Sequence, residues 1–456
     1  MDLTKGPIFK KLILFTFPIM ISYLLQQLYH AADVVIVGNF AQNSKISLAA
    51  VGSTGSMTTL LLNLFIGLST GANVVCANLY GAGKKEELDK AMPTALLTAL
   101  GSGIVVAVIG FVFTKPMLRL MGSPDTVIDR AVVYGRIIFL GQPATLIYNF
   151  GAGILRAYGD TKRTMYILGF TGLANVILNI IFVVVFHMDE AGVALATIIA
   201  SYLSAILVLI LLFHPKSEQQ LRFSALSFHK EYFRKIVKIG LPSGLNGVAF
   251  SLSNVLIGAA INSLGDVAVA ANSTAGSLEG VIYQILTAFS SACMSFAGQN
   301  FGAGKLKRID KLLGVAILSC FSGLVMSVLT VNLFPEFFLH LFTDDKEVVR
   351  MGIYSLRIVC GFYPLYTLTD LPIGCMRGMR RTLLPSLLNV ACICGVRFFW
   401  ILFIFPMNRQ LYFMYLCYPL SWIFSSVTQL ICYYCVRKQE ENRLALRNES
   451  EEAIPA

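Results

Sequence analysis

The sequence predicts an all-α integral membrane protein with 12 transmembrane helices in two six-helix lobes. Three observations predict it: too little charge for a soluble globule, twelve long apolar runs, and an internal repeat that aligns the two halves. Of the 456 residues, 56% are hydrophobic and only 13% are charged, against about 25% charged in a typical soluble domain. A water-soluble globule of this size would lack polar surface. That argues against a soluble enzyme, a disordered chain and a nucleic-acid binder alike.

A membrane-spanning helix needs about 20 apolar residues. Runs of that order fall at 12–38, 47–78, 89–113, 127–155, 164–186 and 191–213, then at 236–262, 267–298, 311–334, 346–375, 384–406 and 411–436. The expected organisation is an N-lobe over 1–213, a polar linker at 214–233, a C-lobe over 234–436 and a tail at 437–456. Met1–Lys11 is short and basic, and the run after it is too long and too polar for a cleavable signal peptide.

Basic residues in the loops set the orientation. The side that holds both termini collects 26 of the 36 lysines and arginines, the opposite side nine, and Arg397 alone lies inside a span. Both termini are therefore expected in the cytoplasm, with the chain in the cell membrane. The net charge of +11 is then a matter of topology and calls for no nucleic acid. Nine of the ten cysteines lie at or after Cys293, mostly in apolar runs where Cys acts as a small hydrophobe. Cys392-x-Cys394 and Cys432-x-x-Cys435 lack the His or second Cys pair that a metal site needs.

Shifting the chain by 221 residues superimposes Gly81-Ala82-Gly83-Lys84 on Gly302-Ala303-Gly304-Lys305, Arg136 on Arg357, Pro143 on Pro364 and Arg156 on Arg377. Each half starts and ends on the same side, so the repeats share one orientation about an axis along the membrane normal. Transporters that rock two bundles around a central site are built this way.

Charge in the bilayer core is costly and points to function. Asp33, Glu279 and Asp370 are the carboxylates well inside spans, and Arg397 is the embedded base. Asn254 is the repeat partner of Asp33, so that carboxylate belongs to the first half alone. Asn175 and Asn179 are four residues apart on one helix face, as are Thr197 and Ser201. Two amides, a hydroxyl and a carboxylate are oxygen ligands that a hard cation accepts. The same groups could hold a protonated Asp33, or simply join helices through polar contacts. Asp370, whose repeat partner is Asn149, and Glu279 could attract a cationic substrate or pair with Arg397. Pro18 and Pro242 each remove a backbone hydrogen bond inside a helix and permit a kink. There is no Gly-x-x-x-x-Gly-Lys-Ser/Thr run to hold a nucleotide, so an ion or substrate gradient is the expected energy source. The five histidines are scattered and form no catalytic group. No enzyme activity and no cofactor are expected.

These residues resemble the multidrug and toxic compound extrusion (MATE) transporters, in the bacterial and archaeal branch typified by the DNA-damage-inducible protein F. The resemblance runs from the first span to the twelfth. It is carried by Pro18, Gln26, Tyr29, Asp33 and Val37-Gly38, by Gly81-Ala82-Gly83 with its echo Gly302-Ala303-Gly304, by Leu155-Arg156-Ala157-Tyr158-Gly159-Asp160-Thr161, and by Asn175 and Asn179. It implies two lobes in a V around a central cavity, and secondary antiport that exports amphipathic, often cationic, organic compounds in exchange for H⁺ or Na⁺. It implies a coupling site at Asp33, Asn175, Asn179 and Thr197, where either ion would be held. Asn179 departs from the pattern, because the family usually has Asp there. One carboxylate instead of two favours a proton on Asp33. Gln26, Tyr29, Asn149, Asn254, Glu279, Asp370 and Arg397 are the substrate-cavity candidates, and Pro18 is the candidate hinge. Expected partners are small organic molecules and the lipid bilayer, with the protein a monomer. Two other readings compete. A lipid-linked oligosaccharide flippase of the same superfamily is disfavoured by the single embedded arginine. A non-transporting scaffold or receptor is disfavoured by the asymmetric buried carboxylates.

Overall fold

The computed structural model describes residues 1–214, 221 and 226–452, with Ser56 and 447–452 by backbone alone. Of the expected linker, 215–220 and 222–225 lie outside the described residues, as do 453–456 of the tail. All regular structure among the described residues is helical.

In the first half, α1 (Ile8–Phe40), α2 (Ser44–Gly81) and α3 (Lys85–Leu120) each form one long helix. The expected fourth span is broken into α4 (Asp125–Leu140) and α5 (Gln142–Ala157), bent by 42° at Gly141. Pro143 lacks the N–H that would continue the helix from α4, and a Cβ on Gly141 would lie 2.7 Å from Ile198 Cγ2. A smooth helix at that point therefore loses a hydrogen bond, and a larger residue would strike the neighbour. α6 (Lys162–Asn179) widens into a π-helical stretch at Ile180–Val185, and α7 (Asp189–Phe213) follows.

In the second half, α8 (Lys230–Asn262), α9 (Asp266–Gly302) and α10 (Leu306–Leu333) are again long, followed by the short α11 (Pro335–His340). α12 (Lys346–Ser355) passes through a π stretch into α13 (Gly361–Gly378). α14 (Leu383–Asn389), α15 (Val396–Phe399) and two π stretches, Val390–Gly395 and Trp400–Ile404, make one irregular helix. α16 (Leu411–Tyr415) and α17 (Cys417–Glu452) complete the chain.

Ten helices among the described residues are long and apolar enough to cross a membrane, or eleven if the bent α4–α5 pair is one span. The sequence expectation was twelve. The helix covering the last expected run, α17, carries Tyr, Ser, Trp and Gln in its first half and runs on into the charged segment after Val436. Side chains such as Val108 on α3, and Leu318 and Met326 on α10, stand exposed. A bilayer tolerates that surface where water would not.

The chain divides into two compact units, one of residues 1–2 and 17–248, the other of 3–16 and 249–456. The division runs through α1 and α8, whereas the sequence expectation put it in 214–233. Local packing explains both crossings. The first part of α8 lies backbone-to-backbone on α2: a Cβ on Gly71 would strike the Ile236 carbonyl, and one on Gly244 the Leu64 carbonyl. The chain before Phe17 is tied to the other unit instead. Leu3 N donates to Gln299 Oε1 (2.9 Å), Arg308 Nη2 donates to the Gly6 carbonyl (2.7 Å), and the Phe15 and Phe296 rings meet edge-on.

Inside each unit the helices pack in the same order. In the first, α5 lies against α2, α3 and α7, and α4 against α2. In the second, α13 lies against α9, α10 and α17, and α12 against α9. These are the pairings that a 221-residue repeat requires.

Candidate functional site

The first unit gathers four polar side chains from three helices. Asp33 sits late on α1 and is only 5% exposed. Asn175 and Asn179 stand one turn apart on α6, both buried, and Thr197 faces them from α7. Asn179 Nδ2 donates to Asp33 Oδ1 at 2.5 Å, and Thr197 Oγ1 donates to Asp33 Oδ2 at 3.3 Å. Asn179 Nδ2 also reaches Asn175 Oδ1 (3.3 Å), and Asn175 Nδ2 donates to Thr197 Oγ1 (3.4 Å). The four side chains form a closed ring. Ser201 is outside it, because its hydroxyl turns back to the Thr197 carbonyl. The π stretch begins at the residue after Asn179, a feature common at functional sites.

The ring is unbalanced in two ways. A buried carboxylate is stabilised only by neutral donors, and no cationic side chain among the described residues pairs with it. Asn179 Oδ1 is buried and meets no donor among the described residues. A carboxylate with an unused amide oxygen beside it can accept a proton or a small hard cation. No group of three or more His, Cys, Asp or Glu side chains is placed to hold a metal ion among the described residues.

Toward the C-terminal end of α1 from Asp33, Val37, Ala41, Val51, Tyr134, Val193 and Ala194 form an apolar layer. Beyond it lies a charged cluster that sequence reading missed. Arg130 Nη1 on α4 donates to Asp189 Oδ2 (3.2 Å), Glu190 Oε2 (3.3 Å) and Ser47 Oγ (3.3 Å). Ser47 Oγ donates to Glu190 Oε2 at 2.6 Å, and Gln42 N donates to Asp189 Oδ1 at 2.8 Å. Arg130 reads in the sequence as a charge at a span edge. The only hint of the cluster is the Asp189-Glu190 pair at the start of an apolar run.

The remaining candidates scatter. Tyr29 donates its hydroxyl to the Leu168 carbonyl, with its ring against Gly172. Gln26 is half-buried. Asn149 turns back along its own helix to the Thr145 carbonyl (2.8 Å). Pro18 is buried, and Ser22 Oγ donates to its carbonyl (2.7 Å). In the second unit, Glu279 accepts from Ser355 Oγ (2.6 Å), and the Asp370 backbone carbonyl accepts from Ser290 Oγ (3.2 Å). Of the two alternatives for these carboxylates, pairing with Arg397 is not seen among the described residues. Arg397 is fully buried, and its Nη1 donates to Asn254 Oδ1 (3.3 Å). The structure therefore brings Asp33, Asn175, Asn179 and Thr197 together, joins Arg397 to Asn254, and leaves the other candidates apart. A separate groove of about 620 Å³ lies at the α9–α10 turn against α17. Its Arg308 and Arg437 are already engaged, with Gly6 and Asp310 respectively.

Known proteins share this architecture. The chain is 27% identical over 403 residues to the probable multidrug resistance protein YoeA of Bacillus subtilis (strain 168), covering 86% of each chain. It is 29% identical over 408 residues to the probable multidrug resistance protein YpnP of the same organism, covering 88% of each. Its fold matches a MOP superfamily transporter from Pyrococcus furiosus with a TM-score of 0.87, over 96% of this chain and 98% of that one, at 22% identity. The MatE family model matches residues 18–181 and 242–401, one block in each repeat. With most of its length covered by that match, the chain belongs to the MatE family.

Proposed function

We propose that the protein is a secondary antiporter of twelve spans, six in each lobe, exporting amphipathic organic compounds in exchange for H⁺ or Na⁺ at Asp33. The observation that carries this reading is the closed ring of Asp33, Asn179, Asn175 and Thr197, with its unused Asn179 Oδ1. The names of the Bacillus relatives support drug efflux, and the excess of basic residues on one side supports cytoplasmic termini in a cell-membrane protein.

The ring explains how an ion changes the helices. As drawn, both Asp33 oxygens accept from neutral donors. A proton on Asp33 turns one of those oxygens into a donor, taken either by the Thr197 hydroxyl or, once its amide turns, by Asn179 Oδ1. A Na⁺ ion asks for oxygen in place of the Asn179 N–H, so it requires that amide to turn. Either ion therefore changes how α1 is held to α6 or α7. α1 passes from one compact unit to the other between Thr16 and Phe17, beside Pro18. Pro18 cannot donate to the carbonyl four residues back, so the helix bends there at little cost. In the cycle proposed here, drug enters from the cytoplasm while Asp33 gives up its ion. Ion binding on the outer side then bends α1 and releases the drug. The two affinities must be coupled reciprocally.

Proteoliposomes with imposed pH or Na⁺ gradients, loaded with a panel of fluorescent cationic and zwitterionic aromatic compounds, test this reading. The expected result is accumulation of dye against its gradient, driven by one of the two ions. Dye movement that ignores both gradients would replace antiport with a flippase role, and no dye movement at all would replace it with a scaffold role.

A further inference from the structure

We infer that the second unit holds a binding site for the anionic group of an aromatic compound, built on Arg397 and Tyr418. The inference rests on the transport reading above and narrows its substrate class.

The site occupies the place in the second repeat that the Asp33 ring occupies in the first. Asn254 lies 221 residues after Asp33, Tyr418 the same distance after Thr197, and Arg397 after Val176. The fold repeats there, with a π stretch at Trp400–Ile404 as at Ile180–Val185. The chemistry is reversed. Where the first unit buries a carboxylate among donors, the second buries a guanidinium.

Arg397 has no partner equal to its charge. Nη1 reaches Asn254 Oδ1, while Nε and Nη2 meet no acceptor among the described residues. Arginine cannot shed its proton in a protein, so it cannot relieve its burial by becoming neutral. The fold offers it aromatic faces instead, with its guanidinium carbon 5.2 Å from the Phe250 ring centre and 4.4 Å from that of Tyr418. The aromatic surface continues from Tyr418 to Trp422 (5.8 Å), on which Tyr363 stacks at 5.2 Å. Trp422 Nε1 is a second buried donor without an acceptor among the described residues.

Unused donors beside a row of rings fit a flat molecule with a carboxylate, sulfonate or phosphate. The planar fork of a guanidinium takes two oxygens of such a group at once, and the rings take the flat part of the molecule. A purely cationic compound meets a like charge. Phe250 and Tyr418 are only half-buried, so a turn of the Tyr418 ring opens the guanidinium to a ligand.

Isothermal titration calorimetry on the full chain in lipid nanodiscs tests this with three ligands sharing one ring: 1-naphthoate, its methyl ester and 1-naphthylmethylammonium. In the unsubstituted protein, naphthoate is expected to bind at least tenfold more tightly than the other two, the size of effect that hydrogen bonds between charged groups give. Arg397→Gln should erase that advantage, and Arg397→Lys should keep part of it. Ester or ammonium binding as tightly as naphthoate would overturn the proposal, as would an anion preference that survives Arg397→Gln. If Arg397→Gln does not fold, the three-ligand comparison in the unsubstituted protein decides. No gradient is applied, so the transport reading is tested separately. Anion preference without gradient-driven efflux would remove antiport and leave this site standing, whereas driven efflux without anion preference would remove this site alone.

Discussion

The two repeats bury opposite charges in equivalent places, on residues that are not themselves equivalent. In the first, Asp33 is ringed by amide and hydroxyl donors; in the second, its place is taken by Asn254, held by Arg397 beneath two aromatic rings. A second contrast lies one layer outward. Ser47, Arg130, Asp189 and Glu190 of the first unit correspond, 221 residues on, to Ala268, Met351, Gln410 and Leu411. The charged cluster is thus a feature of one unit, while its counterpart is mostly apolar. Backbone packing survived the duplication and the polar chemistry did not. A helix bundle is held by close-fitting surfaces, which both copies need, whereas an ion site is needed only where the ion binds.

Substitutions that give the first unit the second unit's residues break this comparison. The largest effect is expected from Asp33→Asn, which installs the amide of Asn254. Gradient-driven efflux in proteoliposomes should fall at least tenfold at normal expression, because no ionisable group would remain in the ring. Full efflux would take Asp33 out of the coupling.

Asn179→Asp sharpens the contrast in the other direction by adding a second carboxylate. More negative charge among oxygen ligands favours a metal cation over neutral binding. Rates of efflux driven by Na⁺ should rise several-fold relative to those driven by pH, and an unchanged ratio would show that Asn179 does not select the ion.

Arg130→Met installs Met351's side chain and leaves Glu190 buried without its cation. Removing one partner of a buried ion pair costs about 3–5 kcal/mol. The Arg130 side chain is 35% exposed, however, so solvent screening reduces the expected loss to about 2 kcal/mol. Thermal unfolding in detergent would read it. Exchanging all four residues for their counterparts should recover most of that loss, because an apolar replacement leaves no charge stranded.

The smallest effect is expected from Tyr29→Phe, since Phe250 is the corresponding residue. It deletes one hydrogen bond, to the Leu168 carbonyl, worth about 1 kcal/mol. A slight drop in unfolding temperature with efflux unchanged is the expected outcome. A large loss of efflux would give Tyr29 a place in the substrate path.

Half of the Asp33 ring was legible because its spacing is local, while the joining of Asp33 and Thr197 to it was implied by the family resemblance alone. Asn175 and Asn179 declare a shared face by their separation, and a lone carboxylate in an apolar run is conspicuous. The charged cluster was not legible, because its members come from α2, α4 and α7 and each looks like an ordinary charge at a span edge. The isolation of Arg397 was hidden for the same reason: both Glu279 and Asp370 were available in the sequence, and only packing shows that neither meets it. Nor could apolar runs reveal that the units divide inside α1 and α8, since hydropathy is blind to which neighbour a helix face touches.

Composition and periodicity alone established a helical membrane protein, its duplication and the helix faces that carry polar groups. Those properties depend on solvent transfer and on helix geometry, which act residue by residue along the chain. The pairing of charges, the break at Gly141 and the inversion between the two repeats were decided by tertiary structure. A buried charge is stabilised or stranded by atoms distant in the chain, and their approach depends on how every helix packs.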